Sequence, residues 1–110
     1  MATFKELGNK AFSEKDYPKA VEHFSDAIKE SPGDHTLYSN RSASYLNMGK
    51  AQLALSDGDR CIEIKADWDR GYQRRAMALQ NLGRFDDAIA SFEQGLKFNP
   101  DNAQIKQGLD

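Results

Sequence analysis

The 110-residue sequence has few of the residues that special chemistry requires, beginning with a single cysteine, Cys61. One thiol cannot close an internal disulfide, and without a neighbouring cysteine it has no metal-ligand spacing, so Cys61 is interpreted as a core residue. His23 and His35 likewise lack acidic or thiol partners at ligand spacing, and neither has an identifiable nucleophile. The sequence therefore predicts no enzyme active site, no metal site and no cofactor.

The sequence also lacks a large excess of charge of one sign and any long apolar run. The net charge of −2 shows no basic excess of the kind that attracts nucleic acid or anionic membranes. No apolar run approaches the roughly 20 residues of a membrane span, and the start, MATFKELGNK, lacks the apolar core of a signal peptide. We expect a soluble cytoplasmic protein with neither a nucleic-acid nor a membrane partner, in which any anion site is a local arrangement.

An internal repeat organises what is present. Ala20, Ala54 and Ala88 lie 34 residues apart, and Tyr38 and Tyr72 fall in the same register. The repeat predicts one domain of three units, over residues 1–34, 35–68 and 69–102. The remaining tail pairs Ile105 with Leu109 at i, i+4 spacing, which predicts a capping helix over residues 102–110.

Each unit carries two stretches of apolar residues at helical spacing and no sustained alternation, so the predicted fold is all-α. Pro18 suits the first turn of the second helix. Glycines fall in the predicted turns, where positive φ costs them least: Gly33, Gly49 and Gly83. Aspartates stand where helix N-caps are expected: Asp34, Asp67 and Asp86.

The repeat resembles the tetratricopeptide repeat. The first unit carries the signature at Phe4 (usually Trp), Leu7, Gly8, Ala20, Phe24, Ala27 and Pro32. The third unit repeats it at Tyr72, Ala88, Phe92 and Pro100, whereas the second departs from it at Ser42, Gly58 and Ala66. The resemblance implies a superhelical stack of three helix-turn-helix repeats plus a capping helix, with the first helix of each pair on the concave surface.

Those first helices would collect three cations, two amides and some apolar surface on one face. At i, i+4 and i+7 spacing the face carries Lys5, Asn9 and Phe12 in the first unit, Asn40 and Ala43 in the second, and Arg70, Arg74 and Met77 in the third. Arg70 and Arg74 are like charges one turn apart, which costs a helix about 0.2–0.5 kcal/mol. Either an anionic ligand offsets that repulsion, or nearby carboxylates do: Asp67, Asp69, Asp86 and Asp87.

Five of these residues resemble the binding residues of the carboxylate-clamp domains, a subset of the tetratricopeptide family. The matching segments read KELGN at 5–9, LYSNRSA at 37–43 and RGYQR at 70–74, with Arg70 where the family usually has Lys. The resemblance implies that five side chains bind peptide carboxylates: Lys5, Asn9, Asn40, Arg70 and Arg74. Apolar contacts to the peptide would come from Phe12, Ala43 and Met77.

The whole chain is most similar to the N-terminal tetratricopeptide domain of the Hsp-organising, stress-inducible co-chaperone family. That similarity implies a ligand: the C-terminal Glu-Glu-Val-Asp tail of a heat-shock protein, favouring the seventy-kilodalton class over the ninety-kilodalton class. Two alternatives stay open. The domain could be the targeting arm of a larger enzyme, such as a phosphatase or prolyl isomerase, or a repeat scaffold whose basic residues are only solvated.

Overall fold

The computed structural model describes residues 1–109, and over that range all regular structure is α-helical, as the apolar spacing predicts. Each unit contributes a pair of helices joined by a short turn, and one further helix follows the third pair. The helices are α1 (Phe4–Ser13), α2 (Tyr17–Glu30), α3 (His35–Asn47), α4 (Ala51–Ile64), α5 (Asp69–Asn81), α6 (Phe85–Phe98) and α7 (Ala103–Leu109). None of them is long and apolar enough to cross a membrane.

Two helix starts form as expected. The side chain of Asp34 accepts a hydrogen bond from the amide of Thr36 at 3.0 Å and caps α3. Pro18 lies in the first turn of α2, where its missing N–H leaves no bond unmade.

Two other predicted caps are wrong. The N-cap positions of α5 and α6 are Trp68 and Arg84, and neither helix has a side-chain cap bond. Asp67 lies one residue too early and its carboxylate faces Lys65 at 3.1 Å, while Asp86 lies inside the first turn of α6. There its charge favours the helix dipole without capping an amide.

The turn within each pair uses a left-handed residue at one register position. Gly49 and Gly83 have φ of 74° and 78°, and Lys15 has φ of 63° at the equivalent place in the first pair. A lysine pays a steric penalty that glycine avoids there. Gly33 lies in a turn between pairs and is not left-handed, so that turn does not require a glycine.

Small residues bring the helices together, and buried aromatic rings pack against them, as the ring of Phe24 does against Gly8. The recurring Ala20, Ala54 and Ala88 are at most 1% exposed, and Phe24 and Phe92 are equally buried. Contacts run between successive helices and between the first helices of successive pairs, as in a solenoid, and α7 closes the end of the stack against α5 and α6.

The capping helix is present over Ala103–Leu109, where Ile105 is fully buried in the core cluster that contains Phe92. Ile105 packs closely against Gly95 of α6. A Cβ added at Gly95 would lie only 2.7 Å from Ile105 Cδ1. Asp110, the last residue of the predicted cap, lies outside the described residues.

A largely buried ion pair that the sequence did not predict ties three helices together. The guanidinium of Arg41 on α3 donates to both carboxylate oxygens of Asp57 on α4, at 2.7 and 2.8 Å, and to Ser25 Oγ on α2 at 3.1 Å. Burial raises the pKa of the Asp57 carboxyl, and the hydrogen bonds to Asp57 raise the pKa of Arg41. Because the bonding is bidentate, this pair sets the position of α3 relative to α4.

Candidate functional site

The first helices of the three pairs form one continuous surface, since α1 contacts α3 and α3 contacts α5. All of the predicted site residues lie on these helices. We call this surface the groove, and it is defined by Lys5, Asn9, Phe12, Asn40, Ala43, Arg70, Arg74 and Met77.

A recess of about 70 Å³ lies at the centre of the groove. Its volume is far below the roughly 300 Å³ at which small-molecule pockets begin, and it suits a single small side chain. Phe24 of α2 also lines it, although the sequence indicated only a core role for that ring. The recess brings together five of the predicted site residues from all three repeats: Asn9, Phe12, Asn40, Ala43 and Arg74.

The two asparagine amides meet at the edge of the recess. Nδ2 of Asn40 donates to Oδ1 of Asn9 at 3.5 Å, a long contact between exposed side chains. Each amide carries both donors and an acceptor. The pair can therefore donate to a ligand oxygen and accept from a ligand N–H.

Arg74 is a cation held in a poorly solvated place. Its Nε donates to Oγ of Ser39 at 3.4 Å, and Ser39 is fully buried. Burial, and secondarily the charge of Arg70, lowers the pKa of Arg74 to about 10, so the side chain stays charged at neutral pH. Within residues 1–109 it forms no ion pair. A desolvated charge without a counterion destabilises the free protein.

The carboxylates suggested by the sequence do not neutralise the two arginines. In the described part of the chain, none of these four carboxylates forms an ion pair with Arg70 or Arg74. Asp86 is exposed on α6. Three have other partners: Lys65 for Asp67 at 3.1 Å, Arg84 for Asp87 at 2.9 Å, and Asn102 for Asp69 at 2.6 Å. The described residues therefore show no ion pair that would support neutralisation by these four carboxylates.

Three predicted residues lie away from the recess: Lys5 on α1, and Arg70 and Met77 on α5. The exposed guanidinium of Arg70 stacks over the ring of Trp68, 5.6 Å from its centroid. Met77 lies one turn beyond Arg74, but its half-buried side chain packs against the core cluster of α4 to α7. Neither Arg70 nor Met77 lines the recess.

Lys5 is held at the start of α3. Its Nζ donates to Oγ1 of Thr36 at 2.8 Å and lies 3.6 Å from the carboxylate of Asp34. Sequence reasoning missed Thr36, although helical spacing could have found it. Thr36, Asn40 and Ala43 repeat on α3 the i, i+4, i+7 pattern that the groove residues of α1 follow.

Cys61 is fully buried, which confirms its interpretation as a core residue. Burial raises the pKa of its thiol to about 11, so little thiolate forms at neutral pH.

Known proteins resemble this chain in both sequence and fold. A family model described as "Tetratricopeptide repeat" matches residues 70–102. "Hsp70-Hsp90 organizing protein 3" of Arabidopsis thaliana is 48% identical over 105 residues, which are 96% of this chain. The chain spans only 19% of that relative's length.

Two solved domains have the same architecture. The tetratricopeptide domain of Arabidopsis OM64 is 33% identical, with a TM-score of 0.93 over 96% of this chain and 88% of that one. The second tetratricopeptide domain of human RPAP3, solved in complex with the HSP70 peptide SGPTIEEVD, is 29% identical. Its TM-score is 0.92 over 97% of this chain and 89% of that one. With its three helix pairs and capping helix, this chain belongs to the tetratricopeptide repeat family.

Proposed function

We propose that this domain is a co-chaperone module that binds the C-terminal Glu-Glu-Val-Asp tail of a heat-shock protein, with the seventy-kilodalton class favoured over the ninety-kilodalton class. One observation carries the proposal. Arg74 is charged, half-buried and without an ion-pair partner in residues 1–109, and it borders a recess that two amides share. A ligand carboxylate would supply the missing counterion.

The chemistry of a chain end fits this arrangement. A C-terminal aspartate carries an α-carboxylate and a side-chain carboxylate, both ionised at neutral pH. Lys5 and Arg74 would give charge-assisted bonds to them, while the amides of Asn9 and Asn40 fix their orientation. Arg70 would join by turning from the face of Trp68 towards the groove.

The recess accounts for the residue before the terminal aspartate. Phe12 and Ala43 line its apolar part beside the amides. A valine side chain would fill a volume of this size and lose its contact with water. Met77, packed into the core in the free protein, would contact the peptide only after a rotamer change.

The comparisons support the choice of ligand. The Arabidopsis relative carries both Hsp70 and Hsp90 in its name, and the RPAP3 domain holds a peptide that ends in Glu-Glu-Val-Asp. We also propose that residues 1–34, 35–68 and 69–102 are the three repeats, each giving one helix to the groove. The module would act in the cytoplasm by binding alone, without a reaction of its own.

A first prediction concerns the peptide itself. A nonapeptide ending in Glu-Glu-Val-Asp should bind in the micromolar range, since few residues become ordered over a small area. Its affinity should fall as salt rises, because the groove cations are partly exposed and therefore screened. Isothermal titration calorimetry at two salt concentrations measures both effects.

The matched control is a peptide of the same composition with the aspartate moved away from the end. Its binding should be at least about tenfold weaker, because only one of the two carboxylates then lies at the clamp. Equal, salt-independent affinities for the two peptides would favour a scaffold with an apolar groove.

A further inference from the structure

One of the three groove cations is already engaged inside the protein. Lys5 lies 3.6 Å from the carboxylate of Asp34, whereas neither Arg70 nor Arg74 has a carboxylate partner within residues 1–109. The Lys5 and Asp34 side chains are 44% and 33% exposed, so a ligand can reach the ammonium from solvent. A ligand anion that uses Lys5 would therefore compete with an internal carboxylate for the same ammonium.

The carboxylate of Asp34 is fixed in position by its hydrogen bonds. Its carboxylate accepts from the amide of Thr36 at 3.0 Å and from Oγ1 of Thr36 at 2.6 Å, and that hydroxyl accepts from Lys5 at 2.8 Å. The carboxylate is also the N-cap of α3, so leaving its position would uncap the helix. Burial alone would raise its pKa, but the hydrogen bonds from Thr36 and the charge of Lys5 hold it below the ordinary value. Asp34 is therefore ionised at neutral pH.

We propose that Asp34 is an affinity-determining residue that competes with the terminal carboxylates of the peptide for the Lys5 ammonium, an inference that rests on the proposed function. In the free protein Lys5 is held by Thr36 and Asp34 at the entrance to the groove. Binding exchanges this internal pair for a pair with the ligand, and the charge of Asp34, which stays at its N-cap position, then repels the bound anion. Both effects lower the affinity of the unmodified domain.

Asp34→Asn tests the competition without removing the cap, because asparagine caps helices as well as aspartate does. The variant should bind the Glu-Glu-Val-Asp peptide about two- to fivefold more tightly, the size expected for a partly exposed ion pair. Asp34→Ser, which also keeps a capping oxygen, should show the same gain. Circular dichroism melts of both variants check that the stack remains folded.

Two controls separate competition for Lys5 from a general change in charge. Asp16→Asn removes the charge of another N-cap, that of α2, whose carboxylate accepts from the Lys19 amide at 3.3 Å. Its peptide affinity should not change. In a Lys5→Met background, Asp34→Asn should give a smaller gain, because no ammonium is left to release and only the repulsion between Asp34 and the bound anion remains.

Unchanged affinity in both Asp34 variants would overturn the competition and leave the proposed function standing. An equal gain with and without Lys5 would overturn it as well, since the effect would then be general electrostatics. If the unmodified domain and all variants fail to bind the peptide, the proposed function fails and this inference fails with it.

Discussion

Replacement of Arg74 by alanine is expected to weaken binding of the Glu-Glu-Val-Asp peptide by about 2–4 kcal/mol, roughly 30- to 1,000-fold. The loss is large because the ligand carboxylate would enter a poorly solvated site and find no counterion. The free energy of unfolding should stay the same or rise slightly. In the free protein the change removes a half-buried, unpaired cation and its repulsion with Arg70.

Titration calorimetry beside a thermal melt separates the two effects of Arg74→Ala. Arg84→Ala is the matched control, because Arg84 is an exposed arginine in the turn between α5 and α6 and lies 2.9 Å from Asp87. It should leave the peptide affinity unchanged. A folded Arg74→Ala variant that binds like the unmodified domain would reduce the basic groove to a solvated surface.

The largest expected effect on stability comes from Asp57, which lies behind the groove. Asp57→Ala should reduce the free energy of unfolding by about 3 kcal/mol, because it leaves the guanidinium of Arg41 buried without its partner. The Arg41 and Asp57 side chains are only 21% and 6% exposed, so water can replace little of the lost bonding. Urea denaturation measures the change.

Asp59→Ala, two residues further along α4, controls for the loss of an aspartate. Asp59 lies 3.3 Å from Arg75, but both side chains are substantially exposed, so the expected cost is below about 1 kcal/mol. A similar small loss for Asp57→Ala would mean that Arg41 finds other partners and that the pair does not hold α3 in place.

The fold could be predicted because its determinants are local and repeated. Ala20, Ala54 and Ala88 mark the period, and helical spacing within each unit marks the faces that pack. Helix starts were harder to place. A capping aspartate is recognised only by its distance from the first turn, and Asp67 lies one residue too early and binds Lys65 instead.

Within the candidate site, the sequence predicted the five residues that line the recess, but not the resting geometry of the other side chains. Asn9, Asn40 and Arg74 meet at one recess, as their spacing on successive first helices suggests. The stacking of Arg70 on Trp68 and the hydrogen bond from Lys5 to Thr36 could not be predicted in this way. Which partner a long, flexible side chain selects depends on neighbouring helices whose relative positions the period alone does not define.

The ion pair of Arg41 and Asp57 is another contact that the sequence period could not predict. Both residues lie in helical segments where charged side chains are ordinarily solvated, and only the packing of α3 on α4 brings them together.

If the groove recognises the end of a chain, amidation of the peptide C-terminus should remove most of the binding. The same Glu-Glu-Val-Asp nonapeptide should be titrated calorimetrically with a free and with an amidated C-terminus, under one buffer and salt condition. Amidation removes one carboxylate and leaves every side chain unchanged. We expect micromolar binding of the free peptide and a loss of roughly 30-fold or more on amidation. Equal affinity for the two peptides would contradict it.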